Sequence, residues 1–360
     1  MGKIDKRRLT LLGAAHFLVD LTCTALLTAT AGTLSYWQVT ACAVLYNGLA
    51  FAFQLPVGAL ADGMNLKRAL TVLGCLLVAA GGLVPGWIPM CLVIGLGNAC
   101  FHIGGGREIL RRDGGRAGMV GRFVAPGAIG IFLGPRLTAF SRLIRGVLPC
   151  CLLVVAVLLW RQDAGEEEPA PTGISGAGRL WAACGCMFLT VLLRSYMGTV
   201  LTYPFLSKTA AAFGYTLCIF GGKYLGGVLA DRFGWVRSCA VTQIPGAVLM
   251  TLSPLVPALA FPGIFLFNTT MAVTAAGLYR CVPRFPGTMF GLTTFALYLG
   301  VLPRLLGMPG PDVTPWSLGL MSLVSAALLL SGVILMRGGG ALGGDHCDIP
   351  GEIPGADHGC

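Results

Sequence analysis

The chain has 360 residues, of which 55% are hydrophobic and only 11% are Asp, Glu, Lys or Arg, with a mean hydropathy of +0.79. A soluble chain of this length carries about 90 charged side chains; this one has 25 basic and 15 acidic residues, too few to face water over most of its surface. Lipid must surround much of the molecule. The same hydrophobicity excludes a disordered chain, and the net charge of +10 needs a source other than a nucleic-acid-binding face.

Read between charges and Pro/Gly breaks, the apolar runs lie near 9–31, 37–60, 69–84, 88–106, 119–140, 147–160, 180–203, 209–230, 236–252, 255–277, 286–306 and 314–336. A helix needs about 20 apolar residues to cross some 30 Å of hydrocarbon, so these are twelve predicted spans, the sixth of them short. The first follows Lys3, Lys6, Arg7 and Arg8, and Ala29-Thr30-Ala31 has the look of a cleavage site. His16 and Asp20 inside it, and its length, argue for a retained span rather than a signal peptide. Residues 161–179, with Glu166–Glu168 and two prolines, read as a flexible linker. In the tenth span, Asn268, Thr269, Thr270 and Thr274 form a polar cluster suited to a cavity wall. The tail 337–360 is Gly-rich and reads as disordered rather than as a metal site, despite His346, Cys347, His358 and Cys360.

Several functions find no support. Most of the 14 cysteines lie inside apolar runs without zinc-like spacing, so they read as small helix residues. Gly222-Lys223 is not followed by Ser or Thr, so there is no phosphate-binding loop and no ATP-driven pump within the chain. No nucleophile–base constellation appears in any polar segment, and an enzyme is not expected.

With the N-terminus inside, seventeen of the 25 Lys and Arg residues fall in cytoplasmic segments, and only Arg142, Arg145, Lys208 and Arg304 fall opposite. That asymmetry predicts a plasma-membrane protein with both termini in the cytoplasm. It also places the basic excess beside anionic headgroups, not nucleic acid.

The chain repeats itself once. Residues 58–68 read GALADGMNLKR and 227–237 read GVLADRFGWVR. Gly58/Gly227, Asp62/Asp231 and Arg68/Arg237 recur at an offset of 169, in the loop after the second span of each half. Small Gly58 and Gly227 allow close helix approach. Asp62 and Asp231 stand just before the next helix, where a carboxylate meets an N-terminal dipole, and Arg68 and Arg237 offer that carboxylate a partner. Six spans, a linker and six spans with the same loop imply two related bundles with a site between them.

These two loops resemble the signature loop of the major facilitator superfamily, and the layout matches that family over roughly 9–336. The resemblance implies that the loops latch one access state at the cytoplasmic side. Arg232-Phe233-Gly234 fits the usual pattern, whereas Gly63-Met64-Asn65 departs from it, implying a weaker latch in the first half. In the fifth span Gly121, Gly130, Gly134 and Pro135 are similar to the motif of drug/proton exchangers, though Thr138 and Ala139 replace the glycines that should follow. The fourth span lacks the buried Arg of many such exporters. HFLVD in the first span and GNACFHIGGG in the fourth look like the fosmidomycin-resistance branch.

Charges at membrane depth face cavities or partners. Asp20, Arg122, Arg136, Arg194 and Lys223 are the candidates. His16, Asp20 and Thr24 form one stripe at helical spacing. Arg194 occupies a comparable depth in the seventh span. Lys223 aligns with Gln54, and Thr216 with Asn47, at the repeat offset. If the halves face each other as in the family, Asp20, Gln54, Arg194 and Lys223 ring a central cavity, with His16, Asn47 and Asn98 beside it. The alternative is a structural ion pair holding the halves together. His102 either lines the same cavity or bonds a neighbouring helix. Arg122 and Arg136 share a face of the fifth span, and Arg136 lies near the outer end, within reach of the interface.

The expected fold is an all-α integral membrane protein of twelve helices: a six-helix bundle over 1–160, a linker over 161–179, a six-helix bundle over 180–336 and a tail over 337–360. The expected function is secondary transport of a small organic solute by alternating access. The proton gradient is its energy source and Asp20 its proton carrier, with no cofactor. The fifth-span glycines favour export. Proton-symport uptake of a small anionic or polar metabolite is the alternative, and a non-transporting sensor of the same fold a third. The expected partners are the solute and the bilayer, and the expected state a monomer.

Overall fold

The computed structural model describes residues 6–64, 66, 68–162, 170–201, 203–308 and 314–340. The described residues are helical in twelve passes. These are α1 (Lys6–Ala31), α2 (Tyr36–Gly63), α3 (Ala69–Leu83), α4 (Trp87–Arg112), α5 (Ala117–Leu137) and α6 (Leu143–Arg161). The second set is α7 (Ala177–Val200), α8 (Thr209–Phe233), α9 (Trp235–Leu252), α10 (Pro257–Cys281), α11 (Pro286–Leu305) and α12 (Pro315–Gly338). Nine of them are long and apolar enough to cross a membrane, and α3 is a shorter apolar helix. In lipid, helices satisfy their own backbone groups, which makes this the default architecture for such a composition.

Local chemistry places the ends. Pro286 and Pro315 start α11 and α12 at positions where a missing N–H costs nothing. Thr314 accepts from Ser317 N at 3.1 Å to cap α12. Gly234, at φ 84°, is the sole residue between α8 and α9 and turns the chain where a side chain would be strained.

The linker is shorter than 161–179 suggests. Arg161 still belongs to α6 and Ala177 already to α7, while residues 163–169, including Glu166–Glu168, lie outside the described residues. So do Lys3, Lys67 and the tail from 341, with its His and Cys residues.

The end of the molecule that carries the N-terminus of α1 is the basic end. There α4 runs six residues past the predicted limit, to Arg112. This buries a charge cluster that includes residues past the predicted end of the fourth span. Arg8 donates through Nε and Nη2 to the Glu108 carboxylate, the latter at 2.8 Å, and through Nη1 to Leu159 O at 3.0 Å. Arg112 Nε stands 3.3 Å from Glu108. Besides Asp20, the helical passes therefore contain Glu108 of α4, Asp62 of α2 and Asp231 of α8. The cluster ties α1, α4 and α6 together. Paired in this way the charges are tolerable; removal of one partner from such a cluster costs about 3–5 kcal/mol.

The two bundles meet along α2–α11 and α5–α8, and glycine sets the closeness of both seams. A Cβ on Gly58 would overlap the Gly287 carbonyl, and one on Gly227 the Ala117 carbonyl. Gly121 lies against the Lys223 carbonyl, while Gly130 and Gly134 lie against the α1 backbone at Phe17 and Leu21. The fifth-helix glycines thus let α5 contact α1 on one side and α8 on the other. Pro135 opens the 3₁₀ turn that ends α5.

Candidate functional site

A cavity of about 320 Å³ lies between the bundles. His16 and Asp20 of α1, Asn47 of α2 and His102 of α4 face it from one half; Arg194 of α7, Lys223 of α8, Asn268 and Thr274 of α10, and Tyr298 of α11 face it from the other.

The acidic wall is a hydrogen-bonded chain. His102 Nδ1 lies 2.9 Å from Asn98 O. A carbonyl only accepts, so this nitrogen carries the proton, and Nε2 of the neutral ring is left to accept. His16 Nε2, 3.0 Å away, is the donor. His16 Nε2 also lies 3.2 Å from Asp20 Oδ2, and Asn98 Nδ2 donates to Asp20 Oδ1 at 3.2 Å. Small Gly127 leaves room for this chain, since a Cβ there would strike Asp20 and His16. His16, Asp20 and His102 have the composition of a metal site, with donor atoms within 4.8 Å of one another. The contact between the two Nε2 atoms nevertheless places a proton between them, and two fixed cations share the cavity. The arrangement suits proton storage.

The basic wall is organised differently. Arg194 donates through Nη1 to the Thr270 hydroxyl and lies over the Phe267 ring at 4.0 Å, which fixes the guanidinium plane. Its Nη2 is buried without a hydrogen-bond partner. Lys223 attracts Asp20 across the cavity but makes no hydrogen bond or close ion pair among the described residues.

Of the expected ring, Asp20, Arg194 and Lys223 share the cavity, and Gln54 does not. A π-helical turn over Gly48–Ala52 precedes Gln54. Such a turn inserts a residue and rotates the remaining helix by about 100°. Gln54 is buried instead, donating to Ala50 O at 2.5 Å and packed against Gly291 of α11. Its repeat counterpart Lys223 has no such turn before it. Arg122 is also absent from the cavity lining; its guanidinium lies 5.8 Å from the Tyr224 ring centre. Arg136 is exposed at the far end of α5 and stacks on Phe132 at 3.6 Å. Asn98 supports Asp20 from behind. The sequence reading missed Thr294 and Tyr298, which stand four residues apart on α11, a helical polar stripe that was there to be read.

The two repeated loops find different partners from those expected. Asp62 does not cap the helix that follows it. Its carboxylate accepts from Gly287 N at 2.9 Å and from Thr288 N at 2.7 Å, at the start of α11 in the opposite half. Asp231 accepts from Ala117 N at 3.0 Å and Gly118 N at 2.7 Å, at the start of α5. The Gly58–Gly287 and Gly227–Ala117 crossings bring these foreign helix starts within hydrogen-bond reach, and Asp231 also accepts from Trp235 Nε1 of its own next helix, α9, at 3.1 Å. The cations also differ. Arg107 of α4 lies 3.4 Å from Asp62, and Arg280 of α10 attracts Asp231 while donating to Gly115 O at 2.9 Å. Arg68 donates to Gln162 O at 2.9 Å and stacks on Trp160, Arg237 is exposed, and Arg232 lies over Phe233. Both loops therefore share one plan, an aspartate attracted by a cation and capping a helix start of the other bundle. The departure at Gly63-Met64 leaves the Asp62 contacts in place, with Asn65 outside the described residues.

No family model and no curated protein sequence matches this chain. Solved structures do. The crystal structure of an alanine variant of the Escherichia coli fucose:proton symporter FucP is 13% identical, with a TM-score of 0.59, over 91% of this chain and 97% of that one. The crystal structure of FucP in the outward conformation, described as a major facilitator superfamily transporter, is 14% identical, with a TM-score of 0.60 and the same coverage. At such identity the likeness establishes the fold. The chain is an all-α membrane protein with the major facilitator fold, two six-helix bundles around a central cavity.

Proposed function

We propose that the chain is a secondary active transporter, and not an enzyme, that moves a small organic solute by alternating access with protons carried at Asp20, His16 and His102. The observation that carries this reading is the cavity between the bundles, with a proton-bearing carboxylate–histidine chain on one wall and fixed cations on the other. The two Asp latches at the basic end are what a rocking pair of bundles needs to hold one access state closed. The asymmetry of Lys and Arg supports a plasma-membrane setting with both termini in the cytoplasm, so that the latched end is the inner one. The solute and the bilayer are the partners, the proton gradient is the energy source, and the protein acts as a monomer without a cofactor.

The α5 glycines support export, the direction read from the sequence. A second reading, uptake by proton symport, draws support from the uncompensated cations Arg194 and Lys223. The test is solute-driven proton movement in proteoliposomes containing an internal pH-sensitive dye, screened with a metabolite and antibiotic panel. The wild type should move protons with at least one solute and Asp20→Asn should not. Gradient-coupled flux at the wild-type rate in Asp20→Asn would refute the role of Asp20, and thermal stabilisation by a solute that is never moved would point to a sensor.

A further inference from the structure

The cavity contains two cations and one carboxylate, and that carboxylate is already engaged. Asp20 is held by His16 from its own helix and by Asn98 and His102 from α4. Lys223 faces it from α8, Cys23 of α1 and Tyr46 of α2 lie near it, and α5 presents the glycines Gly127 and Gly130. On the other wall, Arg194 has only a neutral hydroxyl and an aromatic face as partners, and its Nη2 is buried and unpaired. A buried cation without a counter-charge is costly, and a neutral hydroxyl does not remove the cost. The planar fork of arginine matches carboxylate and phosphoryl oxygens, and lysine adds a point charge.

We infer that the solute is a small organic anion whose carboxylate or phosphoryl group is held by Arg194 and Lys223, and that it binds together with the proton rather than in exchange for it. This rests on the symport reading above, not on export, and adds the charge of the solute and the residues that hold it. An ionised Asp20 repels an acid group entering the same cavity. A proton on the Asp20–His16–His102 chain cancels that repulsion and leaves the two cations to the anion. Proton loading therefore tightens anion binding, and by linkage the anion tightens proton binding to the same extent. Species that load together leave together, which makes the coupling a cotransport. The cavity volume of about 320 Å³ suits a compact solute, and Val124, Val191 and Phe290 offer apolar surface to its hydrocarbon part.

The experiment uses the full chain in lipid nanodiscs and calorimetric titration with benzoate and phenylphosphonate. Benzyl alcohol and benzylamine serve as neutral and cationic probes with the same ring, and the pH range is one in which benzoate stays ionised. At least one acid should bind more tightly than either control, and its affinity should rise as pH falls. Arg194→Gln should weaken it about 30-fold or more and Lys223→Gln about 10-fold. Arg194→Lys should restore part of the loss, which separates charge recognition from misfolding. Asp20→Asn should bind the acid at high pH as tightly as the wild type does at low pH. Which acid binds better distinguishes carboxylate from phosphoryl recognition. Failure of both acids to bind, equal binding of the alcohol, or full affinity in Arg194→Gln would overturn the anion site. Acid binding that loosens on acidification, or weakens in Asp20→Asn, would overturn the cotransport. Normal acid binding with no solute-driven proton movement in proteoliposomes would leave the anion site standing and sink the transport reading alone.

Discussion

Gly227→Ala is the most economical way to disturb the latch, because it adds one methyl group and leaves every polar partner in place. The added Cβ would overlap the Ala117 carbonyl and come within 2.9 Å of Gly118 N, both backbone atoms at the start of α5 in the other bundle. Backbone cannot rotate away as a flexible side chain can, so the bundles must part at this seam. Overpacking of this kind costs about 1–3 kcal/mol. The cost falls only on the state in which the basic end is closed, so the ratio of closed to open molecules should drop about 5- to 150-fold. The amides of Ala117 and Gly118 report that ratio directly, since Asp231 holds both in the closed state. Their hydrogen exchange, read by mass spectrometry in nanodiscs, should accelerate by the same factor. Gly178→Ala on α7 is the control, because a Cβ there meets nothing within 4 Å, and it should leave exchange at α5 unchanged. Unaltered or slower exchange at Ala117 and Gly118 in Gly227→Ala would refute the claim that this seam separates during opening.

Other substitutions separate the remaining claims. Asp62→Asn and Asp231→Asn keep an acceptor oxygen but lose the charge-assisted caps of α11 and α5; each should favour opening of the basic end by about 1–2 kcal/mol. The two effects should add, because the caps lie on different seams, and exchange at Gly287 and Thr288 for the first latch and at Ala117 and Gly118 for the second measures them. Glu108→Gln removes the anion that Arg8 and Arg112 share and should lower stability by about 3–5 kcal/mol, seen as a reduced thermal midpoint; an unchanged midpoint would mean that the cluster is solvated. Gly130→Ala brings a Cβ within 2.5 Å of Phe17 O and should destabilise the packing of α5 on α1 by about 1–3 kcal/mol, again read as a thermal midpoint.

Much of this architecture was legible in the sequence because it depends on composition and repetition. Each predicted span corresponds to one helical pass, since runs of about 20 apolar residues have few other solutions in lipid. The repeated Gly-x-Leu-Ala-Asp loop marked the inter-bundle contact, and the spacing of His16 and Asp20 marked one cavity wall. What escaped depends on geometry that residue spacing does not carry. The π-turn at Gly48–Ala52 rotates Gln54 off the face that a regular helix would give it. Asp62 and Asp231 find partners in the opposite bundle because glycine crossings bring those backbones close, a tertiary fact invisible in the loop itself. Arg107 and Glu108 fall just past the predicted end of the fourth span at 106, because charge normally ends an apolar run, whereas here α4 continues to Arg112 and Arg8 and Arg112 neutralise the acid.

The rocking of two bundles about a shared cavity is tested most directly by paired distance measurements. Spin labels across the seams at the basic end, between α2 and α11, and at the opposite end, between α1 and α7, would be read by electron–electron resonance in nanodiscs over a range of pH. The account predicts two distance populations at each end that exchange in opposite senses, one end widening as the other narrows, with Gly227→Ala favouring the form open at the basic end. A single unchanging distance at both ends, in the wild type and in Gly227→Ala alike, would contradict it.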